Sequence, residues 1–261
     1  MNAASTSVSH QHSSTFRCRN SYSTSPSTRF TGEDVEGATE DQLPIPDKFL
    51  ALYAETKAMG EVEVTKACKS GELLTISVGP HQIYGPYDTL FMPNLLETAG
   101  TGRLRVFGSG RSIISVCYVD NYVHGLMCGA DALYENSPAL GKFYIITDGK
   151  PVNFWHFINQ AIKAMGFTDL YTKWHLPVWL LYCAAYVANV IGFLMKKKLK
   201  LNPFNVRMLT MHRYFSLENA KKDLQFEPVV DQSEAWPSTI EWFKEYWLPK
   251  FKASQQSKKA K

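Results

Sequence analysis

Leu52-Tyr53-Ala54-Glu55-Thr56-Lys57-Ala58 is the stretch whose reading decides the fold. On a predicted helix from Phe49 to Lys69, Tyr53 and Lys57 stand four positions apart and share one face. An ammonium beside a phenol oxygen favours the ionised phenol, so the two make an acid/base pair. An ordinary phenol titrates near ~10, and bringing one down by roughly three units takes about 4 kcal/mol of differential stabilisation. Of the thirteen tyrosines, one other, Tyr246, has a lysine four places on, at Lys250, but that pair encloses Pro249, a residue unsuited to a helix interior.

Upstream lies Tyr22-Ser23-Thr24-Ser25-Pro26-Ser27. Downstream, Leu73 to Val78 reads as a buried strand of apolar and β-branched residues, and Gly79-Pro80-His81-Gln82-Ile83-Tyr84-Gly85-Pro86 as the loop that breaks it. Further on, Phe91 to Ala99 is predicted helical and Arg103 to Phe107 a short strand. A β-rich run from Ile113 to Val119 leads to a helix from Tyr122 to Ala132, with Asp120-Asn121 as its expected cap. Phe143 to Thr147 is a further strand and Asn153 to Met165 a further helix.

A strand-end serine, a Tyr-x-x-x-Lys helix, and a strand ending in Pro-x-x-Ile-Tyr-Gly-Pro occur here in the order that resembles the extended short-chain dehydrogenases. Within them the chain is most similar to the 3β-hydroxysteroid dehydrogenase branch. Val106-Phe107-Gly108-Ser109-Gly110, Tyr118 to Gly125, and Ile145 to Val152 followed by Phe154-Trp155 resemble the members that act on sterol 4α-carboxylates. The likeness runs from about Tyr22 to Leu248.

The resemblance implies an α/β fold, the C-terminal part of a Rossmann-like extended short-chain dehydrogenase with a mostly helical substrate lobe. It implies NAD- or NADP-dependent oxidation of a 3β-hydroxyl on a sterol or steroid, with loss of carbon dioxide where the substrate carries a neighbouring carboxylate. Tyr53 would be the general base, Lys57 would hold the cofactor ribose and favour the phenolate, and Ser25 would hydrogen-bond the reacting oxygen. Pro80, Ile83 and Tyr84, with Gly85, would form the backbone beside the nicotinamide. Two plainer readings stay open: Ser25 as a turn serine, and the Pro80 to Gly85 segment as a tight loop after a core strand. At Gly79 the sequence departs from the family, which carries an arginine before the proline.

The same family receives the cofactor pyrophosphate on an N-terminal glycine-rich strand-to-helix turn, and none precedes Ser25. Gly100-Thr101-Gly102 and Gly108-Ser109-Gly110 lack a third glycine and read as loop glycines. Met1 to Ser21 is rich in Ser and Thr, carries Arg17 and Arg19 and holds no acid, a composition that buries too little apolar surface to fold alone. It also resembles an organellar transit peptide. The expected organisation is therefore residues 1–21 outside the fold and 22–175 a partial Rossmann-like catalytic region. An apolar helix with a basic flank follows at 176–200, then a C-terminal substrate-lobe segment at 201–250 and a basic tail at 251–261. A chain shortened in this way is not expected to turn over substrate by itself. The alternative is a non-catalytic, membrane-associated fragment that binds sterol or a partner.

Val178 to Met195 is eighteen residues without a charge, containing Trp179 and Tyr182 and ending against Lys196-Lys197-Lys198. That meets the lower length limit for crossing a bilayer, and the aromatic and basic flanks suit an interface; a buried core helix accounts for the same residues. The run Tyr214 to Pro228 resembles the element that completes the substrate lobe and must return to the side of Tyr53, which favours shallow or re-entrant insertion over a single crossing. Lys258-Lys259-Ala260-Lys261 fits a dilysine retrieval signal, which points to the endoplasmic reticulum membrane with the catalytic part facing the cytosol; a plain basic tail fits equally. A net charge of +4 without interleaved basic and aromatic side chains argues against nucleic-acid binding. Five cysteines show no Cys-x-x-Cys spacing, which fits a reducing compartment, and the seven histidines are scattered, so no metal site is expected from spacing. A homodimer stays open.

Overall fold

In the computed structural model, which describes residues 18–197, 199 and 201–259, the chain begins with β1 (Cys18–Ser23), β2 (Val35–Ala38), α1 (Leu52–Lys69), β3 (Leu73–Pro80) and β4 (Ile83–Tyr84). Then come α2 (Phe91–Gly100), β5 (Ile113–Ile114), β6 (Cys117–Tyr118), α3 (Val119–Asp131), β7 (Phe143–Ile146), β8 (Val152–Asn153) and α4 (Phe154–Ala164). The C-terminal third holds α5 (Val178–Leu194), α6 (Pro203–Thr210), β9 (Arg213–Phe215), α7 (Glu218–Leu224), α8 (Gln232–Trp242) and α9 (Leu248–Lys259). The expectations placed on residues 1–17, and on Ala260 and Lys261 of the basic tail, lie outside the described residues.

The apolar run of β3 forms the middle of a parallel sheet in the order β1-β3-β7, with Ser23 opposite Val78 and Gly79 opposite Ile145. The boundary expected at residue 21 falls inside β1: Cys18 to Ser21 pair with Leu73 to Ile76. Strand pairing satisfies backbone groups whatever the side chains, which a composition rule does not register. A second sheet runs β2-β9-β5-β8 and a third joins β4 to β6. The two larger of the apolar cores beside them lie one around Tyr84, Phe154, Trp155, Phe157 and Trp236, the other around Ile76, Val78, Tyr144, Ile146 and Phe226.

Several local expectations change. Arg103 to Phe107 makes no strand; a single bridge joins Phe107 to Leu176, because no second strand lies alongside. α3 begins at Val119, so Asp120 and Asn121 sit in its first turn and do not cap it. Asn121 is spent inside: its amide bonds Asp148 Oδ1 at 2.8 Å and the Val230 carbonyl at 2.9 Å, while its oxygen accepts from the Val229 and Val230 amides at 2.9 Å. Tyr246 lies in a π-helical turn, Phe243–Trp247, that joins α8 to α9 without a break, and Pro249 follows just beyond it, so the helical run carries this proline next to that wider turn.

At Gly79 an added Cβ would stand 2.7 Å from Phe143 Cε2 and 3.3 Å from Pro26 Cδ. The space that a side chain would need is taken by these two rings. Gly85 adopts φ +148°, a conformation open to glycine, and a Cβ there would meet Val119 at 2.8 Å.

Candidate active site

Ser25 follows β1 and caps a 3-10 helical turn, Pro26–Arg29: its Oγ accepts from the Ser27 amide at 3.3 Å and from the Ser27 hydroxyl at 3.0 Å. Tyr53 enters from the first turn of α1 and is 58% exposed. Both line one cleft of about 600 Å³, together with Pro80 and His81 from the end of β3, Phe91 from α2, Phe154 from α4, Leu209 from α6 and Arg213 from β9. Apolar side chains dominate the lining, as a hydrocarbon ligand requires.

Lys57 is one helical turn beyond Tyr53, and its Nζ donates to the Ser23 carbonyl at 3.0 Å, 5.5 Å from the centre of the Tyr22 ring. The amine therefore sits at the C-terminal end of β1, beside the serine segment. A buried ion pair between Arg29 and Glu61 ties that segment to α1; each side chain is 6% exposed. Arg29 also lies 4.7 Å over the Phe143 ring and donates to Thr28 Oγ1 at 3.1 Å, and Thr24 donates to Glu61 at 3.4 Å. Burial, then the charge of Glu61 and the neighbouring Tyr53, raise the Tyr22 phenol above its ordinary value.

Of the three residues expected beside a nicotinamide, Pro80 lines the cleft and the other two do not. Ile83 is exposed away from that lining, and Tyr84 is turned into the core, with the rings of Tyr118, Phe157 and Trp236 at 5.5 to 5.6 Å. The Tyr84 hydroxyl donates to Asp148 Oδ2 at 2.9 Å, and burial followed by the Asp148 charge pushes this phenol well above its ordinary value. Asp148 also accepts from the Tyr118 amide at 2.7 Å; burial raises its carboxyl.

Two cleft residues escaped the sequence reading. His81 is buried, with Nδ1 2.6 Å from the Ser115 carbonyl. A carbonyl only accepts, so Nδ1 carries the proton. Burial, and after it the Arg213 charge, push this imidazole down to about 3, which keeps it neutral. Burial lowers the Arg213 guanidinium to about 10, so it stays a cation at neutral pH. His81 fills an unspecified position of the Pro-x-x-Ile-Tyr-Gly-Pro motif, directly after Pro80, and Arg213 belongs to no motif with a diagnostic spacing.

Folding also brings together Asp34, Glu36 and His212, whose ligand atoms lie within 4.8 Å of one another. Two of the three already serve the β2–β9 junction: Asp34 accepts from the His212 amide at 3.1 Å and His212 Nδ1 from the Ile113 amide at 3.2 Å.

Residues 22–178 match the 3-beta hydroxysteroid dehydrogenase/isomerase family. The chain is 30% identical over 225 residues to the decarboxylating sterol-4-alpha-carboxylate 3-dehydrogenase of Mus musculus, covering 84% of this chain and 61% of that protein. It is 33% identical over 231 residues to 3beta-hydroxysteroid-dehydrogenase/decarboxylase isoform 1 of Arabidopsis thaliana, covering 85% and 52%. The chain thus spans between half and three fifths of the length of these relatives. A UDP-glucuronic acid 4-epimerase from Bacillus cereus, solved in complex with NAD, superposes with a TM-score of 0.61 at 18% identity over 88% of this chain and 61% of its own. A dTDP-glucose 4,6-dehydratase from Streptomyces venezuelae with NAD bound gives 0.60 at 14% identity, over 89% and 62%. Those two likenesses establish the Rossmann-like fold of the extended short-chain dehydrogenases. With the matched segment holding Ser25, Tyr53, Lys57 and the strand-and-loop that follows them, the chain belongs to the 3-beta hydroxysteroid dehydrogenase/isomerase family.

Proposed function

We propose that this chain is the catalytic and substrate-binding part of an NAD- or NADP-dependent dehydrogenase that oxidises the 3β-hydroxyl of a sterol or steroid. The observation that carries the reading is the meeting of Ser25, Tyr53 and Pro80 on one apolar cleft, with Lys57 a single turn beyond Tyr53. Tyr53 takes the proton of the substrate hydroxyl. Both hydrogen bonds at Ser25 Oγ are accepted ones, which leaves its own proton free for the reacting oxygen. Lys57 uses one of its three N–H donors on the Ser23 carbonyl, leaving two for ribose hydroxyls. The nicotinamide, when bound, accepts the hydride of the carbinol carbon. A carboxylate adjacent to the new ketone makes a β-keto acid, which loses carbon dioxide readily.

The same reading places the protein at the endoplasmic reticulum membrane, its cleft on the cytosolic side. No helix among the described residues is long and apolar enough to cross a bilayer. α5 instead buries Leu181 and Ala185 and leaves Trp179, Tyr186, Val190, Phe193 and Leu194 exposed, with Lys196 and Lys197 at its end. That pattern suits a helix lying in the headgroup region, from which a sterol has a short path to the cleft.

The test is a titration of the purified chain with NAD and NADP, in which binding of neither rules out independent catalysis by this chain. In a form that also carries a glycine-rich cofactor turn, Tyr53→Phe should lower turnover by roughly 10²–10⁴-fold while cofactor affinity stays nearly constant. Retained turnover in that variant removes Tyr53 from the role of base. Sterol binding without turnover is the second reading, favoured by the 58% exposure of Tyr53, which leaves the phenol wet; binding of the sterol but of neither dinucleotide would select it.

A further inference from the structure

Arg213 is the one charged side chain that lines the cleft among the described residues. No aspartate or glutamate joins it there, and it takes part in none of the ion pairs formed by the described residues. The residue is 7% exposed, and its Nε is buried without a hydrogen-bond partner. What surrounds it is uncharged: the Phe30 ring, whose centre lies 6.0 Å from the guanidinium carbon, and the neutral imidazole of His81. The backbone leaves no freedom to swing the side chain's base elsewhere, because Arg213 pairs with Val35 on one side and Ile114 on the other, and its carbonyl accepts from the Ser115 amide at 2.9 Å.

A guanidinium held in an apolar cavity with no counter-charge is costly, and proteins that keep one generally have it paired. The other buried arginine among the described residues follows the rule: Arg29 has Glu61. The fork of donors on an arginine matches the two oxygens of a carboxylate.

We infer that Arg213 is the receptor for a carboxylate carried by the substrate, and so selects acidic over neutral apolar ligands for the cleft that Tyr53 and Ser25 line. The identity of the apolar body as a sterol rests on the function proposed above; the anion preference does not. As a positioning residue, Arg213 fixes which end of an elongated, nearly featureless hydrocarbon enters first, and thereby which carbinol reaches Tyr53.

The test measures binding of two matched pairs to the full chain: 4α-carboxycholestan-3β-ol against 4α-methylcholestan-3β-ol, and dodecanoate against dodecanol. The wild type is expected to prefer the acid of each pair. Arg213→Met should weaken acid binding on the order of 10–100-fold and leave the neutral partners within about twofold, while Arg213→Lys retains part of the preference. If neither sterol binds yet dodecanoate is preferred in an Arg213-dependent way, the anion receptor stands and the sterol reading falls. An acid preference that survives Arg213→Met, or no acid preference in either pair, overturns the inference. Should Arg213→Met fail to fold, Arg213→Lys decides: a reduced acid preference supports the assignment and an unchanged one refutes it.

Discussion

Removing Glu61 should reveal how the serine segment is fastened to the tyrosine helix. Its partner Arg29 closes the short turn that Ser25 caps, and both side chains are 6% exposed. In Glu61→Ala the guanidinium stays inside with only Thr28 Oγ1 at 3.1 Å and the Phe143 ring at 4.7 Å, while Nε already lacks a partner. Breaking a buried pair by deleting one member costs about 3–5 kcal/mol, since an uncompensated charge remains. For a chain of this size that corresponds to a fall in melting temperature of roughly 6–20 °C. Replacing both partners by apolar residues, as in Arg29→Met with Glu61→Leu, should recover most of the loss, because the desolvation cost disappears together with the attraction. Urea denaturation followed by tryptophan fluorescence and circular dichroism measures both variants. A Glu61→Ala cost below about 1 kcal/mol, or a double variant no better than the worse single one, would refute the account.

Two further expectations concern pH and lipid. His81 is held neutral down to about 3, whereas in the unfolded chain it protonates near ~6.5. Its contribution to stability is thus complete above about pH 7 and is lost as pH falls towards 3, by up to about 1.4 kcal/mol per pH unit. Between about pH 7 and about pH 5 the wild type should lose about 2 kcal/mol more than His81→Gln, and equal losses in urea titrations would dismiss a neutral buried imidazole. On α5, Phe193 is 84% exposed and Leu194 lies beside it. Burying each in lipid is worth about 1.5–3 kcal/mol, so Phe193→Glu with Leu194→Glu should reduce co-sedimentation with anionic vesicles by at least about tenfold, while unchanged partitioning excludes this face from the contact.

What the sequence made legible were the long, one-signal elements. The strand of Leu73 to Val78, the helix bearing Tyr53 and the helix that Asn153 caps through the His156 amide all emerge close to their expected limits. Ser25, Tyr53 and Pro80, candidates from separate segments, line one cleft; the parallel pairing of β1 with β3 brings the strand ends beside Ser25 and Pro80 together, and α1 supplies Tyr53. Tyr84 shows why the rest was hidden. Its neighbours Ile83 and Gly85 read as a loop, yet a buried carboxylate at Asp148, far along the chain, draws the phenol inward. Asn121 likewise looks like a helix cap, and its true partners are Asp148 and the backbone at Val229 and Val230. Arg213 sits in a short strand, where nothing local distinguishes a lone buried cation from a surface one. These are long-range electrostatic and packing choices, and periodicity carries no trace of them.

The β2–β9 seam has a consequence for how the molecule is made. Asp34 bonds the amide of His212, 178 positions later, and Val35 pairs with Arg213 next to it. A ribosome delivers the chain from one end, so the wall of the cleft supplied by the last strand arrives 178 residues after the segment it joins. Until then the greasy surface of Phe30 lacks the Phe215 ring stacked on it, and loop closure over such a distance is slow. Nascent chains of this protein should therefore engage holdase chaperones until that strand has emerged, and be released from them only then.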